Sequence, residues 1–426
     1  MNISANLKRK VQEEIEGQLP SLLGLYRHLH AHPELSGQEV NTAARVAEEL
    51  FAAGCKVTTG VGGHGVVGLL ENGPGPVLML RGDMDALPIR EKTGLPYASC
   101  ETVTGPDGQV TPVMHACGHD LHTTNLIGAA RVLSASRDSW KGSLLFVAQP
   151  AEEAIGGARL MLQDGLFTRF PRPKWALALH VDPGLPAGTV SIGHGYVTTA
   201  CQSVDVIIKG RPGHGAAPHL GVDPIVLASQ LVMSFQTIVS RRTDPRETVV
   251  IHVGRMEGGA SRNTIAENVI LELSLRAQGR DSLERLITGV TETAYGIAQS
   301  AGLGPDQMPI VQRVAVLTPS VNNDPELSRL LTGIFQEWLG AERVRASSKP
   351  LLGSEDFSRY GEVDPPLAVV LFFLGATDPV EFRSIAGDPV KLPRLHTPSF
   401  SPSVDISLPV GLRCFCAASL FLLSAE

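Results

Sequence analysis

The chain has 426 residues, of which 43% are hydrophobic and 19% charged, and it carries a formal net charge of −7. That length accommodates two domains, each with its own core, and the composition is ordinary for a soluble globular protein. The acidic balance gives no reason to expect nucleic acid as a partner.

The opening MNISANLKRKVQEEIEGQL is charged and lacks the apolar core of a signal peptide. Cys55, Cys100, Cys117, Cys201, Cys414 and Cys416 are scattered without the spacing of a disulfide-stapled domain, so reduced thiols are expected. No apolar run is expected to reach the roughly 18–20 residues that cross a membrane. A cytoplasmic enzyme without a membrane partner is the expectation.

Apolar residues recur near a 3.6-residue period over 5–31, which predicts a helix stopped by Pro33. HAHPELSGQE is read as a turn, followed by a helix over 40–53 that ends at Gly54. Short strands are expected over 56–59 and 65–70. Three continuously apolar runs then read as buried strands: 77–80 ending in RGDMDALP, 144–148 ending in QPAEEA, and 175–179 ending in HVDP. Buried strands separated by helices imply an α/β domain with a mainly parallel sheet covered by helices. Ligands of such sheets bind beyond the carboxyl ends of the strands, where Asp83, Asp85, Glu152, Glu153 and His180 fall.

Between the first two of these strands lies MHACGHDLHT, residues 114–123, with His115, Cys117, His119, Asp120 and His122. These ligand types suit zinc, manganese, cobalt or nickel. The loop leads into a helix expected over 125–135, whose N-terminal end favours a thiolate at Cys117. Glu152 and Glu153 are adjacent and point in different directions, so one can bind metal while the other serves as a proton acceptor. Asp83 and Asp85 are either a strand-end turn, satisfied by Arg81 or Arg90, or carboxylates that orient a ligand histidine or the attacking water. His396 lies far along the chain in an LHTPSF loop.

After about residue 197 the strands alternate, and the order strand, GRPGHGAAPH loop, helix, strand, strand, helix suggests an inserted α+β domain with an antiparallel sheet. The expected division is 1–196, 197–318 and 319–426, the outer two forming one domain. A helix over 326–339, a strand over 367–374 and an apolar helix over 407–423 complete it. Asn263, Arg276, Glu355 and Asp356 carry no spacing signal of their own.

HLHAHPELSGQE, LRGDMDALP, HACGHDLH, QPAEE, LHVDP, GHGAAPH, GSEDFS and LHTPSF, taken together and in this order, resemble the dimetal amidohydrolases that include aminoacylases and carboxypeptidase-like metallopeptidases. The branch resembled contains hippurate hydrolase, N-acyl-amino-acid amidohydrolases and indole-acetyl-amino-acid hydrolases. The resemblance implies two divalent metal ions held by Cys117, His119, Glu153, His180 and His396, with Glu152 as general base and acid. It implies a ferredoxin-like lid and dimerisation domain, and a homodimer in which His214 stabilises the oxyanion in the partner's site. Asn263 and Arg276 match positions that bind the substrate's free carboxylate. The implied substrate is a small N-acyl amino acid or related amide; the alternatives are a dipeptidase or carboxypeptidase of the same family, or a non-catalytic metal-binding relative. Near Asn263 and Arg276 the family pattern is altered: Ile265-Ala266 and Ser274-Leu275-Arg276 stand in place of Ile-Pro and Gly-Thr-x-Arg.

Overall fold

The computed structural model describes residues 4–347, 350–385, 388, 391–392 and 394–424. The chain forms two compact units, one of Met1–Gly195, Asn322–Ser348 and Asp356–Glu426, the other of Tyr196–Val321 and Lys349–Glu355. Each has its own hydrophobic core.

In chain order the first unit supplies helices α1 (Ala5–Ala31) and α2 (Val40–Ala52), strands β1 (Lys56–Val61), β2 (Gly65–Asn72) and β3 (Val77–Asp83), helix α3 (His119–Ala135), and strands β4 (Gly142–Gln149), β5 (Trp175–Pro186) and β6 (Val190–Gly193). The second unit follows with β7 (Ala200–Lys209), α4 (Pro224–Thr237), β8 (Val249–Gly258), β9 (Asn268–Ala277), α5 (Arg280–Ser300) and β10 (Ile310–Arg313). The chain then returns with α6 (Pro325–Leu339), β11 (Val344–Ser347), β12 (Ala368–Thr377) and α7 (Val404–Leu422).

The first unit's sheet has eight strands in the order β1-β2-β4-β3-β5-β12-β6-β11. Its centre, β4-β3-β5-β12, is parallel. The flanks are mixed: β1, β2 and β4 pair antiparallel, as do β12 and β6, whereas β6 and β11 pair parallel. The sheet is thus mixed around a parallel centre. The central strands are buried almost throughout, which is why they read as continuous apolar runs rather than alternating ones. Helix α1 starts at Ser4, whose side chain accepts the Leu7 N–H, and Gly54 beyond α2 has φ 85°, the left-handed region that suits a helix stop.

Helix α3 begins six residues earlier than the periodicity suggests, so His119, Asp120 and His122 are helical. Polar, metal-loop residues occupy that first turn and hide it from an apolar-period test. Helix α7 is 19 residues long and apolar enough to cross a membrane, contrary to the sequence expectation; most of it is buried inside the unit, against α1, α3 and α6.

The second unit has a four-stranded antiparallel sheet, β8-β9-β7-β10, with α4 and α5 packed on it. The β-α-β-β-α-β order is ferredoxin-like. Its last strand, β10, is short and mostly exposed, so it leaves little hydrophobic pattern.

Candidate metal centre

The centre grows from the sheet's carboxyl edge. The loop before α3 crosses β5 at Gly118, which has φ 80°, and a Cβ there would stand 2.6 Å from Val181 Cγ2. Glycine therefore lets the loop lie close on the strand, with Cys117 beside His180. Cys117 Sγ is 3.5 Å from His180 Nε2 and 3.3 Å from His396 Nε2. His396 comes from a distant loop and is tied in by its N–H, which donates to the Ala116 carbonyl at 2.8 Å. Glu153 Oε1 is 3.2 Å from His396 Nε2 and 3.9 Å from His119 Nε2, and Glu152 Oε2 is 4.0 Å from that same nitrogen. Cys117, His119 and His180 form one group whose donor atoms lie within 4.8 Å of one another; Cys117, Glu153 and His396 form a second, and His119, Glu152 and Glu153 a third.

His180 is not at the end of its strand, since β5 runs on to Pro186. The register explains its position. Arg81 of β3 faces Ala178 of β5, so His180 sits at the level where β3 ends in Asp83.

Hydrogen bonding sets the tautomers. His119 Nδ1 donates to the Asp85 carbonyl at 2.8 Å and His180 Nδ1 to the Val181 carbonyl at 2.8 Å, so Nε2 is the nitrogen each ring can offer to a cation. His119 Nε2 is buried and finds no hydrogen-bond partner among the described residues. A buried ring nitrogen with no hydrogen-bond partner, facing a thiol and carboxylates, is unsatisfied by the protein alone and, once deprotonated, fits a divalent cation. The charge balance fits one too. Burial alone would depress His119, yet Asp83, Asp85 and Glu153 hold it up at about 10. Burial, with Glu153, Glu152 and Asp83 adding to it, pushes the Cys117 thiol well above its usual range. The expected helix-end thiolate is therefore not favoured in the metal-free protein, because burial and nearby carboxylates outweigh the helix dipole.

Asp83 and Asp85 are built into this arrangement. Asp83 accepts from Arg81 Nη1 and from His122 Nδ1, each at 2.6 Å. Burial opposes its ionisation, but Arg81, His119 and His122 hold it well below the usual carboxylate range. His122 Nε2 accepts the Val181 N–H at 2.9 Å, and burial lowers this imidazole to about 4. Asp85 accepts the N–H groups of Glu152 at 3.1 Å and Glu153 at 2.9 Å, and the Ser36 hydroxyl at 2.6 Å. Asp120 pairs with His30 at 2.7 Å, away from the ligand group.

Sequence reading did not find Asp356, which accepts from Gln149 Nε2 at 2.6 Å, from the Ala158 N–H at 2.9 Å and from Arg81 Nη2 at 3.3 Å. Nor did it single out Glu39, which accepts the Ala151 N–H. Both lie inside quoted motifs, HLHAHPELSGQE and GSEDFS, but neither sits in a ligand-like spacing, so their partners show only in the fold.

The other expected site residues lie in the second unit. His214 is exposed and pairs with Thr264, next to Asn263, and its Nδ1 accepts the Ala216 N–H at 3.0 Å. Asn263 Oδ1 accepts from the Ser261 hydroxyl at 2.8 Å. Arg276, on β9, donates through Nη1 to the Leu352 carbonyl at 2.8 Å and to Ser354 Oγ at 3.2 Å.

Residues 79–385 match the model of peptidase family M20/M25/M40. The chain belongs to this family. It is a metal-dependent amidohydrolase. It is 34% identical to hippurate hydrolase of Campylobacter jejuni over 79% of this chain and 84% of that one. It is 32% identical to IAA-amino acid hydrolase ILR1-like 4 of Arabidopsis thaliana over 92% of this chain and 83% of that one. Bacillus subtilis YXEP, a dinuclear metal binding peptidase from the M20 family, superposes with a TM-score of 0.77 at 27% identity, covering 96% of this chain and 99% of that one.

Proposed function

We propose that this amidohydrolase cleaves the amide bond of small N-acyl amino acids or related amides, using two divalent ions held by Cys117, His119, Glu153, His180 and His396. The observation that carries this reading is the buried, unpartnered His119 Nε2 facing Glu152 and Glu153. Bound ions supply Lewis acidity for the scissile carbonyl and bring the pKa of a water to about 7. Glu152 takes the proton of the attacking water and returns it to the leaving amine. Asp85 holds Glu152 and Glu153 by their backbone N–H groups, and Asp83 with Arg81 and His122 supports the wall beside His119. The mixed thiolate, imidazole and carboxylate donors suit zinc, manganese, cobalt or nickel.

The active form in this reading is a homodimer through the second unit, with His214 donating to the oxyanion in the partner's site and Asn263 and Arg276 receiving the substrate carboxylate. Val226 and Met233, seven residues apart on α4, are 51% and 71% exposed, which supports an apolar contact there. All six cysteines are unpaired, which supports a cytoplasmic setting, and the acidic charge supports neither nucleic acid nor anionic membrane as partner.

The test is an acyl-amino-acid and dipeptide panel on protein loaded with each metal, beside Glu152→Gln. Glu152→Gln is expected to keep its metal and lose turnover by about 10²–10⁴-fold. Parental turnover in that variant would overturn the mechanism, and preferential cleavage of dipeptides would overturn the substrate class.

A further inference from the structure

We propose that Glu39 is a positioning residue that fixes the turn carrying Glu152, by accepting the Ala151 backbone N–H. The proposal rests on the reading of Glu152 as the general base.

Ala151 has φ 50°, in the left-handed region that L side chains avoid. A non-glycine residue stays there only when its surroundings hold it. Three successive N–H groups in this turn end on two carboxylates. Glu39 Oε1 takes that of Ala151 at 2.8 Å, and Asp85 takes those of Glu152 and Glu153. The turn's exit is closed by its own backbone: Ile155 N–H donates to the Glu152 carbonyl at 2.7 Å, and Gly157 N–H to the Ala151 carbonyl at 3.1 Å. A Cβ on Gly157 would stand 1.6 Å from the Pro150 carbonyl oxygen. The entry at Ala151 is held by the Glu39 side chain, and the two residues after it by Asp85.

The loop between α1 and α2 is shaped to present both acceptors. Gly37, at φ 76°, donates its N–H to Glu39 Oε1 at 2.9 Å, while Ser36 Oγ donates to Asp85 at 2.6 Å. Glu39 occupies the N-cap position of α2, where an acidic side chain ordinarily accepts from the helix's own first turn. It makes no such bond. Instead its carboxyl is fully buried and reaches a loop 112 residues away. Oε2 finds no hydrogen-bond partner among the described residues, so a single acceptor oxygen carries the function. A neutral isostere that keeps this oxygen can therefore replace the carboxylate, whereas a shorter acid cannot.

The experiment compares Glu39→Ala, Glu39→Gln, Glu39→Asp, Ala151→Gly, the Glu39→Ala/Ala151→Gly pair and Glu152→Gln in the full-length, metal-loaded enzyme, with N-benzoylglycine and N-acetyl amino acids as probes. Glu39→Ala is expected to lower kcat about 10- to 100-fold with KM and metal content unchanged. Glu39→Gln stays near parental, and Glu39→Asp falls with the alanine variant. Ala151→Gly restores part of the loss in the Glu39→Ala background, because glycine enters positive φ freely. Parental kcat in Glu39→Ala alongside an inactive Glu152→Gln overturns the proposal and spares the base assignment, as does a loss that follows loss of metal. If Glu39→Ala does not fold, the contrast between Gln and Asp decides, and an active Asp beside an inactive Gln overturns the proposal. An active Glu152→Gln removes the base assignment, and the proposal falls with it.

Discussion

The carboxylate of Asp85 accepts the backbone N–H of Glu153 at 2.9 Å, with Oδ1 taking the neighbouring Glu152 N–H at 3.1 Å. One side chain two residues beyond β3 thus sets the orientation of two acidic residues beyond β4. An asparagine there keeps one acceptor oxygen and puts an amide N–H₂ against a backbone donor. Asp85→Asn is therefore expected to lower kcat about 10- to 100-fold with the fold intact. Steady-state kinetics together with a thermal melt check this, and a parental kcat would show that the two N–H bonds do not position the acids.

Metal uptake should release protons. Cys117 is held protonated by burial and by Glu153, Glu152 and Asp83, and His119 is held up at about 10 by Asp83, Asp85 and Glu153 against its burial. Both donors must lose a proton to bind a cation, so affinity is expected to rise with pH through the neutral range. Calorimetry of zinc or manganese binding in two buffers of different ionisation enthalpy reads this directly. Identical heats in both buffers would contradict the proton inventory.

Much of this centre was legible in the sequence, and the reason is local. Cys117, His119 and His122 fall within six positions, and Glu152 and His180 each follow an apolar run that only a buried strand explains. The parallel centre of the sheet made those run ends converge. The antiparallel flanks were less visible, because a strand's partner depends on contacts far along the chain. Asp356 was illegible for the same reason: its bond to Arg81 spans 275 residues. Glu39 reads as the end of a turn, and no pattern states that its side chain reaches away from the helix that follows.

Cobalt offers a direct view of the thiolate. Cys117 Sγ stands between His180 Nε2 and His396 Nε2, so a cobalt-loaded protein should show sulfur-to-metal charge-transfer absorption. Cys117→Ser should abolish that band and weaken metal binding, since a hydroxyl is a far poorer anionic donor than a thiol. Retention of the band in the serine variant would assign it to another cysteine.

The last prediction concerns the buried ion pair behind the metal loop. His30 Nδ1 is 2.7 Å from Asp120 and its Nε2 is 3.0 Å from Glu91, all three side chains being sealed from solvent. Burial would lower this imidazole, but its bonds to Asp120 and Glu91 raise it to about 10. Because the folded value lies above the unfolded one of about 6.5, the charged histidine's contribution is complete below about pH 6.5 and is lost as pH rises through about 10. Asp120 and Glu91 are shifted the other way: burial opposes their ionisation, and the bonds from His30 outweigh it. Their contribution is present above the ordinary carboxylate range and is lost as the solution becomes more acidic. The two windows overlap from mildly acidic to neutral pH. Removing one partner of a buried pair costs about 3–5 kcal/mol, so His30→Gln should be destabilised by about that much near pH 6 and by progressively less towards pH 10. Denaturant unfolding of both proteins across that range measures the difference, and a gap that does not change with pH would mean that His30 is held neutral.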